Sequence, residues 1–206
     1  MSDLTYEYEN CSQCLETYEW DKVWWEHANT EGVPRVLYIG DSIAHSTWRA
    51  ATDVANYEIY FDGFGTSKAV DNPYFADSLR IFAAQQGDRR VVLFNNGLHG
   101  WHLDDASDYA QAYEKMLVFL LKEFAGTPLV LLLTTHVANV ARDKRVQTRN
   151  QAVSALAEKY NLPVLDLYTF SKEHESLLTS DGVHYTPEGY RLLAAEIVKK
   201  VREFLP

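Results

Sequence analysis

Five short apolar segments, separated by stretches with the period of a helix, constrain the fold of this chain most strongly. The segments are rich in Val, Ile, Leu, Tyr and Phe, and they cover residues 35–40, 57–61, 90–95, 128–135 and 162–168. Nearly continuous apolar runs of this length are typical of parallel strands that are covered on both faces. Strands that alternate with helices predict a three-layer α/β domain with a parallel sheet.

The stretches between these segments carry helix signals. Residues 105–124 are predicted to form a helix with one apolar face, which carries Tyr109, Tyr113, Met116, Leu117, Leu120 and Phe124. The last helix is predicted to begin with Thr186 as its N-cap and Pro187 as its first residue. Right-handed crossovers bring the loops after the strands to one edge of the sheet, where ligands bind in such folds.

Length and charge exclude several classes of protein. The 206 residues, 47% of them hydrophobic, suit one compact domain, which we predict over residues 34–206. Nineteen basic and 29 acidic residues give a net charge of −10, which disfavours nucleic acid and anionic membranes as partners. The longest apolar run is too short to span a bilayer, and the first ten residues lack a secretory signal, so a cytoplasmic location is expected.

The first 33 residues form an aromatic-rich leader, which we expect to be a helix packed on the domain. The leader contains Trp20, Trp24 and Trp25 and a single Cys-x-x-Cys pair, Cys11 and Cys14. Tetrahedral zinc needs four ligands, and no second pair is present. The two cysteines are therefore interpreted as incidental thiols or an incidental local disulfide, and no metal site is predicted.

A serine follows the first predicted strand, in the triplet Gly40-Asp41-Ser42. At the start of a helix, Ser42 could cap the helix, or it could act as a nucleophile. In the second role its own backbone N–H, at the positive end of the helix dipole, would face a developing oxyanion.

A carboxylate and an imidazole, Asp181 and His184, lie three residues apart just before the last helix. Side chains at this spacing lie side by side in a helical or tight turn. The carboxylate could then fix the imidazole tautomer and stabilise the imidazolium that forms during nucleophilic attack. The alternative is a turn aspartate beside a surface histidine.

Two further stretches follow predicted strands. Asn95 and Asn96 end the third strand, and they could donate to an oxyanion or form an Asx turn. Gly63 and Gly65 follow the second strand, and they could bring a backbone N–H close to a ligand or form a simple glycine loop. All four stretches are expected at one edge of the sheet, which favours a serine-hydrolase site.

In this order, the four stretches resemble the signature blocks of the SGNH (GDSL-type) hydrolase superfamily over most of residues 34–205. The resemblance implies that Ser42 is the nucleophile and an oxyanion donor, and that the "DGVH" segment supplies Asp181 and His184 as the other members of the triad. It also implies a flavodoxin-like sandwich with a five-stranded parallel sheet in the order 2-1-3-4-5, and no cofactor.

The resemblance assigns the remaining oxyanion donors to Gly65, with Gly63 as the alternative, and to Asn95, with Asn96 as the alternative. In this third block Leu93 stands where the family has glycine, and Asn96 stands where it has aspartate. The "NNGLH" form resembles a subset associated with carbohydrate deacetylation. It implies a small acyl ester, such as an acetylated oligosaccharide, as the substrate.

Substrate contacts are expected from residues near these blocks, namely Asp41, Asn96, His99, Trp101 and His136. The rings of Trp48 and Trp101 could stack on a sugar or pack the loops, and Arg142 is expected to pair with a carboxylate. Alternative functions are a lysophospholipase or thioesterase for longer acyl chains, and a non-catalytic binding module of the same fold. The sequence leaves open whether the protein forms a homo-oligomer.

Overall fold

Alternating strands and helices form a three-layer α/β sandwich in the computed structural model, which describes residues 14–16 and 18–205. The strands are β1 (Asp21–Trp24), β2 (Arg35–Gly40), β3 (Tyr60–Thr66), β4 (Val91–Phe94), β5 (Leu129–Leu132) and β6 (Val164–Leu165). The helices are α1 (Ser42–Val54), α2 (Phe75–Ala83), α3 (Ala106–Glu123), α4 (Val140–Tyr160), α5 (Leu167–Glu173) and α6 (Pro187–Arg202), with a 3₁₀ turn at Glu175–Leu177. One apolar core packs α1 and α6 on the sheet, and a second packs α2, α3 and α4 on the opposite face.

The sheet has the order β1-β3-β2-β4-β5-β6. Strands β2 to β6 are parallel, and their order is the predicted 2-1-3-4-5, so the predicted fold class is confirmed. The sixth strand, β1, comes from the leader and pairs antiparallel with β3. It covers the edge of β3, whose N–H and C=O groups would otherwise be unpaired.

The expected helix in the leader is wrong for residues 21–24, which form β1. Its neighbours Trp20 and Trp25 lie outside regular secondary structure. Cys11 lies outside the described residues, and Cys14 is half-buried. The boundary between leader and domain at residue 34 stays a prediction.

Strand β3 begins and ends later than predicted. Asn56 and Tyr57 have φ angles of 52° and 60°, so the chain turns there and cannot yet be extended. Gly63 and Gly65, expected in a loop, lie within β3, where the ring of Trp48 from α1 packs against them. A Cβ on Gly63 would lie 2.2 Å from that ring, so glycine is required for this close approach.

Replacement of Gly63 with alanine is expected to destabilise the protein by about 1–3 kcal/mol, because the buried Trp48 ring would have to move. Gly65→Ala is expected to cost less, since its Cβ would lie 3.1 Å from the same ring. Urea unfolding of both variants measures the difference. Equal stabilities for Gly63→Ala and the unchanged protein would contradict this packing.

A buried ion pair anchors the leader near the amino edge of the sheet. Arg35 at the start of β2 lies 2.9 Å from Asp62 of β3, and both side chains are almost completely buried. The backbone N–H of Glu26 donates to Asp62, and the guanidinium of Arg35 donates to the carbonyl of Glu26. The leader is therefore held by buried hydrogen bonds as well as by the strand pairing of β1.

The predicted start of the last helix is present, and another helix ends at a residue suited to that position. Thr186 accepts a hydrogen bond from the Gly189 N–H, and Pro187 is the first residue of α6. Asn161 ends α4 in the left-handed conformation, with a φ of 51°.

Candidate active site

Ser42 lies where β2 gives way to α1 at the carboxyl edge of the sheet. The turn is tight, since a Cβ on Gly40 would lie 2.6 Å from the Cβ of Ala44. Asp41 caps α1, because its carboxylate accepts a hydrogen bond of 2.9 Å from the Ile43 N–H. The capping alternative for Ser42 is therefore excluded by the geometry. Its hydroxyl remains half-buried at the helix N-terminus.

The imidazole of His184 bridges this serine and a carboxylate. Its Nε2 lies 2.8 Å from the Ser42 Oγ, and its Nδ1 lies 2.7 Å from the Asp181 Oδ2. The structure thus brings together three side chains that the sequence places 142 and three residues apart. The imidazole is 38% exposed and the carboxylate 46% exposed, so the relay is accessible to a ligand from solvent.

The loop before α6 fixes the position of this histidine. The Asp181 carboxylate accepts hydrogen bonds of 2.9 Å from the N–H groups of Val183 and His184 and from the Thr179 hydroxyl. Gly182 adopts a φ of 71° between them, which favours glycine. The two side chains of the dyad are therefore held by their own backbone turn, as their spacing predicted.

Hydrogen bonding keeps Asp181 ionised. Partial burial raises the pKa of its carboxyl, but the N–H groups of His184 and Val183, the imidazole and the Thr179 hydroxyl outweigh burial. The net effect holds the pKa well below its usual range. A carboxylate that is charged at neutral pH can stabilise a histidinium on the adjacent ring.

The expected glycine donor does not face the serine. Ser67 donates its N–H to the Trp20 carbonyl, and N–H groups of alternate residues point the same way along a strand. The N–H of Gly65 therefore faces β1. The structure does not support Gly65 as an oxyanion donor, because the unforeseen leader strand pairs with this edge of β3.

The two asparagine amides donate within the protein. Asn95 donates to the Leu132 carbonyl at 2.8 Å and to the Thr134 hydroxyl at 2.9 Å, which uses both of its amide hydrogens. Asn96 is buried and donates to the Lys68 carbonyl at 2.8 Å. Participation of Asn95 in an oxyanion hole would require one of its two bonds to break, and that role stays a prediction.

Most of the other expected substrate-contacting side chains are buried in protein contacts. Asp41 is 1% exposed, and burial raises the pKa of its carboxyl. The Nδ1 of His136 lies 2.7 Å from Asp143, and the ring is buried. His99 is also buried, with its Nδ1 2.9 Å from Glu16 of the leader.

The candidate sugar-stacking rings pack the protein instead. Trp48 projects from α1 onto the β3 glycines and is 2% exposed. Trp101 is 5% exposed, with the guanidinium groups of Arg142 and Arg145 at 5.1 and 4.5 Å from its ring centroid. These rings offer no open face for a sugar, so the packing alternative holds for both.

The leader supplies residues to this edge that the sequence did not single out. Glu16 is buried, and its carboxylate accepts a hydrogen bond of 2.9 Å from the Gly100 N–H in addition to its contact with His99. Trp20 meets the His99 ring edge-on, with centroids 6.1 Å apart.

Replacement of Glu16 with alanine is expected to destabilise the protein by about 1–3 kcal/mol, because it leaves the buried His99 and Gly100 without this partner. Urea unfolding measures the effect. Glu31→Ala removes an exposed acid from the same leader and is the control, with an expected change within about 0.5 kcal/mol. Equal effects for both variants would contradict a specific role for Glu16.

A cavity of about 380 Å³ opens near the amino ends of β2 and β4, away from the serine. It is lined by leader residues, by Arg35 and by Arg90. The residues described offer no cluster of three or more His, Cys, Asp or Glu side chains suited to a metal ion. Within the same part of the chain, every helix is too short or too polar to cross a bilayer.

A doubly wound parallel sheet with a serine–histidine–aspartate relay at its carboxyl edge is typical of serine hydrolases. The chain belongs to the GDSL-like lipase/acylhydrolase family, whose family model matches residues 38–192, and it is an ester hydrolase. The resemblance to the SGNH (GDSL-type) superfamily is thereby confirmed. The comparison with curated proteins finds no match.

Solved structures share the fold at low sequence identity. A lipolytic protein of the G-D-S-L family from Veillonella parvula superposes with a TM-score of 0.65 at 18% identity, over 81% of this chain and 97% of its own. A carbohydrate esterase family 3 protein from Talaromyces cellulolyticus superposes with a TM-score of 0.65 at 16% identity, over 83% of this chain and 97% of its own. The acetyl xylan esterase AlAXEase superposes with a TM-score of 0.62 at 17% identity, over 81% of this chain and 99% of its own.

Proposed function

We propose that this chain is a serine esterase that removes short acyl groups, above all acetyl, from carbohydrates through an acyl-Ser42 intermediate. The observation that carries the proposal is the continuous relay from the Ser42 hydroxyl through His184 to Asp181, with separations of 2.8 and 2.7 Å. These lengths are within hydrogen-bond reach, which proton transfer to a general base requires.

In the proposed first half-reaction, the Ser42 Oγ attacks the ester carbonyl while the His184 Nε2 takes the hydroxyl proton. The tetrahedral intermediate then collapses, the bond to the alcohol breaks, and the histidinium returns the proton to the leaving oxygen. In the second half-reaction, water gives its proton to His184 and attacks the acyl-serine. Collapse releases the carboxylic acid and restores the Ser42 hydroxyl.

The developing oxyanion is proposed to bind at the N-terminus of α1. The first N–H groups of a helix have no partner within the helix, and the helix dipole favours negative charge there. The Ile43 N–H is already used by Asp41, which leaves the N–H of Ser42 as the proposed donor. The amide of Asn95 is the second proposed donor, after release from the Leu132 carbonyl or the Thr134 hydroxyl.

The preference for acetyl rests on two observations. The sequence contains no long apolar segment that could cover an extended acyl chain near the site. Two proteins of the same fold are named as an acetyl xylan esterase and a carbohydrate esterase. Both observations favour a small acyl group on a sugar over a lipid substrate.

A chain-length series tests the proposal. Initial rates with 4-nitrophenyl acetate, butyrate and octanoate are expected to be highest for acetate and to fall with length, and acetylated xylo-oligosaccharides are expected to release acetate. A maximum at eight carbons would contradict the acetyl preference and favour a lysophospholipase or thioesterase. Absence of hydrolysis throughout the series would favour a non-catalytic binding module.

A further inference from the structure

The leader strand carries an aromatic ring and a cation toward the catalytic edge. In the antiparallel pairing of β1 with β3, Lys22 lies opposite Gly65 and Trp24 lies opposite Gly63. Paired residues project to the same face of a sheet, so Lys22 and Trp24 share the face on which α1 packs. The ammonium of Lys22 lies 5.7 Å from the centroid of the Trp20 ring, which itself contacts a catalytic-edge loop through His99.

Helix α1 presents His45 to the same strand. His45 follows Ser42 by three residues, so the two side chains lie next to each other on the helix surface. A Cβ on Gly65, opposite Lys22, would lie 3.4 Å from the Cβ of His45. Burial lowers the pKa of the His45 imidazole, and the charges of Lys22 and His184 lower it further. Through the β1–β3 pairing and the first turn of α1, Lys22 and the Ser42–His184 pair therefore both lie near His45.

The positive charge of Lys22 is not neutralised by the acids of this edge. Within residues 14–16 and 18–205, no carboxylate forms an ion pair with it, although the whole chain carries a net charge of −10. The neighbouring Asp21 pairs with Lys68 at 2.7 Å, and Asp181 is hydrogen bonded to the catalytic imidazole. An exposed ammonium over an aromatic ring, on the strand that faces the first turn of α1, suits an anionic group on the substrate.

We propose that Trp20, Lys22 and His45 form a subsite for a carboxylate on the alcohol part of the ester, as an acetylated acidic sugar would carry. The proposal rests on the proposed esterase function, and it places the charge on the alcohol part because an acetyl group has no ionisable group. The ammonium binds the carboxylate, the Trp20 ring supports the lysine side chain, and an imidazole N–H of His45 donates a hydrogen bond to the carboxylate.

Two aryl acetates that differ in the charge of their leaving group test whether Lys22 binds a carboxylate on the substrate. 4-Acetoxybenzoate carries a carboxylate on its leaving group, and methyl 4-acetoxybenzoate is its neutral counterpart. The selectivity is the value of kcat/KM for the anionic ester divided by that for the neutral ester. Lys22→Gln is expected to lower this ratio by about fivefold. Its kcat/KM for the neutral ester is expected to stay within about twofold of that of the unchanged protein. Addition of 0.5 M NaCl is expected to shrink the difference in this selectivity ratio between the unchanged protein and Lys22→Gln, because salt screens the attraction to the ammonium.

Lys159→Gln is the matched control, since Lys159 also lies over an aromatic ring, 5.6 Å from the Tyr160 centroid, but at the far end of α4. An unaltered ratio in Lys22→Gln, or an equal fall in Lys159→Gln, would overturn the subsite. Its failure is distinguishable from failure of the esterase proposal, in which the unchanged protein would hydrolyse neither ester.

Discussion

Ser42→Ala is expected to lower kcat for 4-nitrophenyl acetate by about 10⁴-fold or more, because no other group in the relay can form the acyl intermediate. The same change is expected to leave the free energy of unfolding within about 1 kcal/mol of the unchanged protein. The reason is structural: Asp41 caps α1, so the Ser42 hydroxyl makes no cap that the fold needs.

Ser46→Ala provides the matched control, since Ser46 lies on the same helix one turn later and outside the relay. It is expected to retain a rate within about threefold of the unchanged protein, because the half-buried Ser46 contacts none of the reacting groups. Hydrolysis by Ser42→Ala at a rate near that of the unchanged protein would show that the reaction does not pass through this serine.

Asp181→Asn is expected to lower kcat by about 10³- to 10⁴-fold with little change in KM, through the tautomer of the neighbouring histidine. An amide nitrogen facing the His184 Nδ1 would donate to it, and the ring proton would then be carried by Nε2. That nitrogen lies 2.8 Å from the Ser42 Oγ and must be unprotonated to take the hydroxyl proton. Retention of more than a tenth of the rate would contradict the proposed role of the carboxylate.

The stability difference between Asp181→Asn and the unchanged protein is expected to depend on pH. The pKa of Asp181 is lowered in the folded protein, so its carboxylate contributes stability above its unfolded pKa of about 3.9. This contribution is lost as pH falls through the lower folded pKa. Asp181→Asn is therefore expected to be less stable than the unchanged protein at pH 7, with the difference shrinking below about pH 4. Urea midpoints across pH measure the trend, and a difference that grows on acidification would contradict it.

Local sequence patterns predicted the parts of the site that local structure determines. The spacing of Asp181 and His184 was sufficient for their contact, because one turn holds both side chains. The parallel strands were evident from their apolar runs, while their order came from the resemblance to a family. Contact between Ser42 and His184 depends on the whole sheet, since 142 residues separate them.

Features that depend on distant partners were not predictable from the chain alone. Strand β1 is four exposed residues without an apolar pattern, and only the open edge of β3 makes it a strand. Gly63 and Gly65 resembled a ligand-binding loop because their actual neighbour, Trp48, lies on another element. Asn95 resembled a free donor because its acceptors lie on and beyond β5.

The most direct measurement is to treat the protein with a fluorophosphonate and to map the modified residue by peptide mass spectrometry. Formation of one covalent adduct on Ser42, with loss of ester hydrolysis in proportion to labelling and strongly slowed labelling in His184→Ala, is the expected result. An unmodified Ser42 in a protein that still hydrolyses 4-nitrophenyl acetate would contradict an activated serine at the N-terminus of α1.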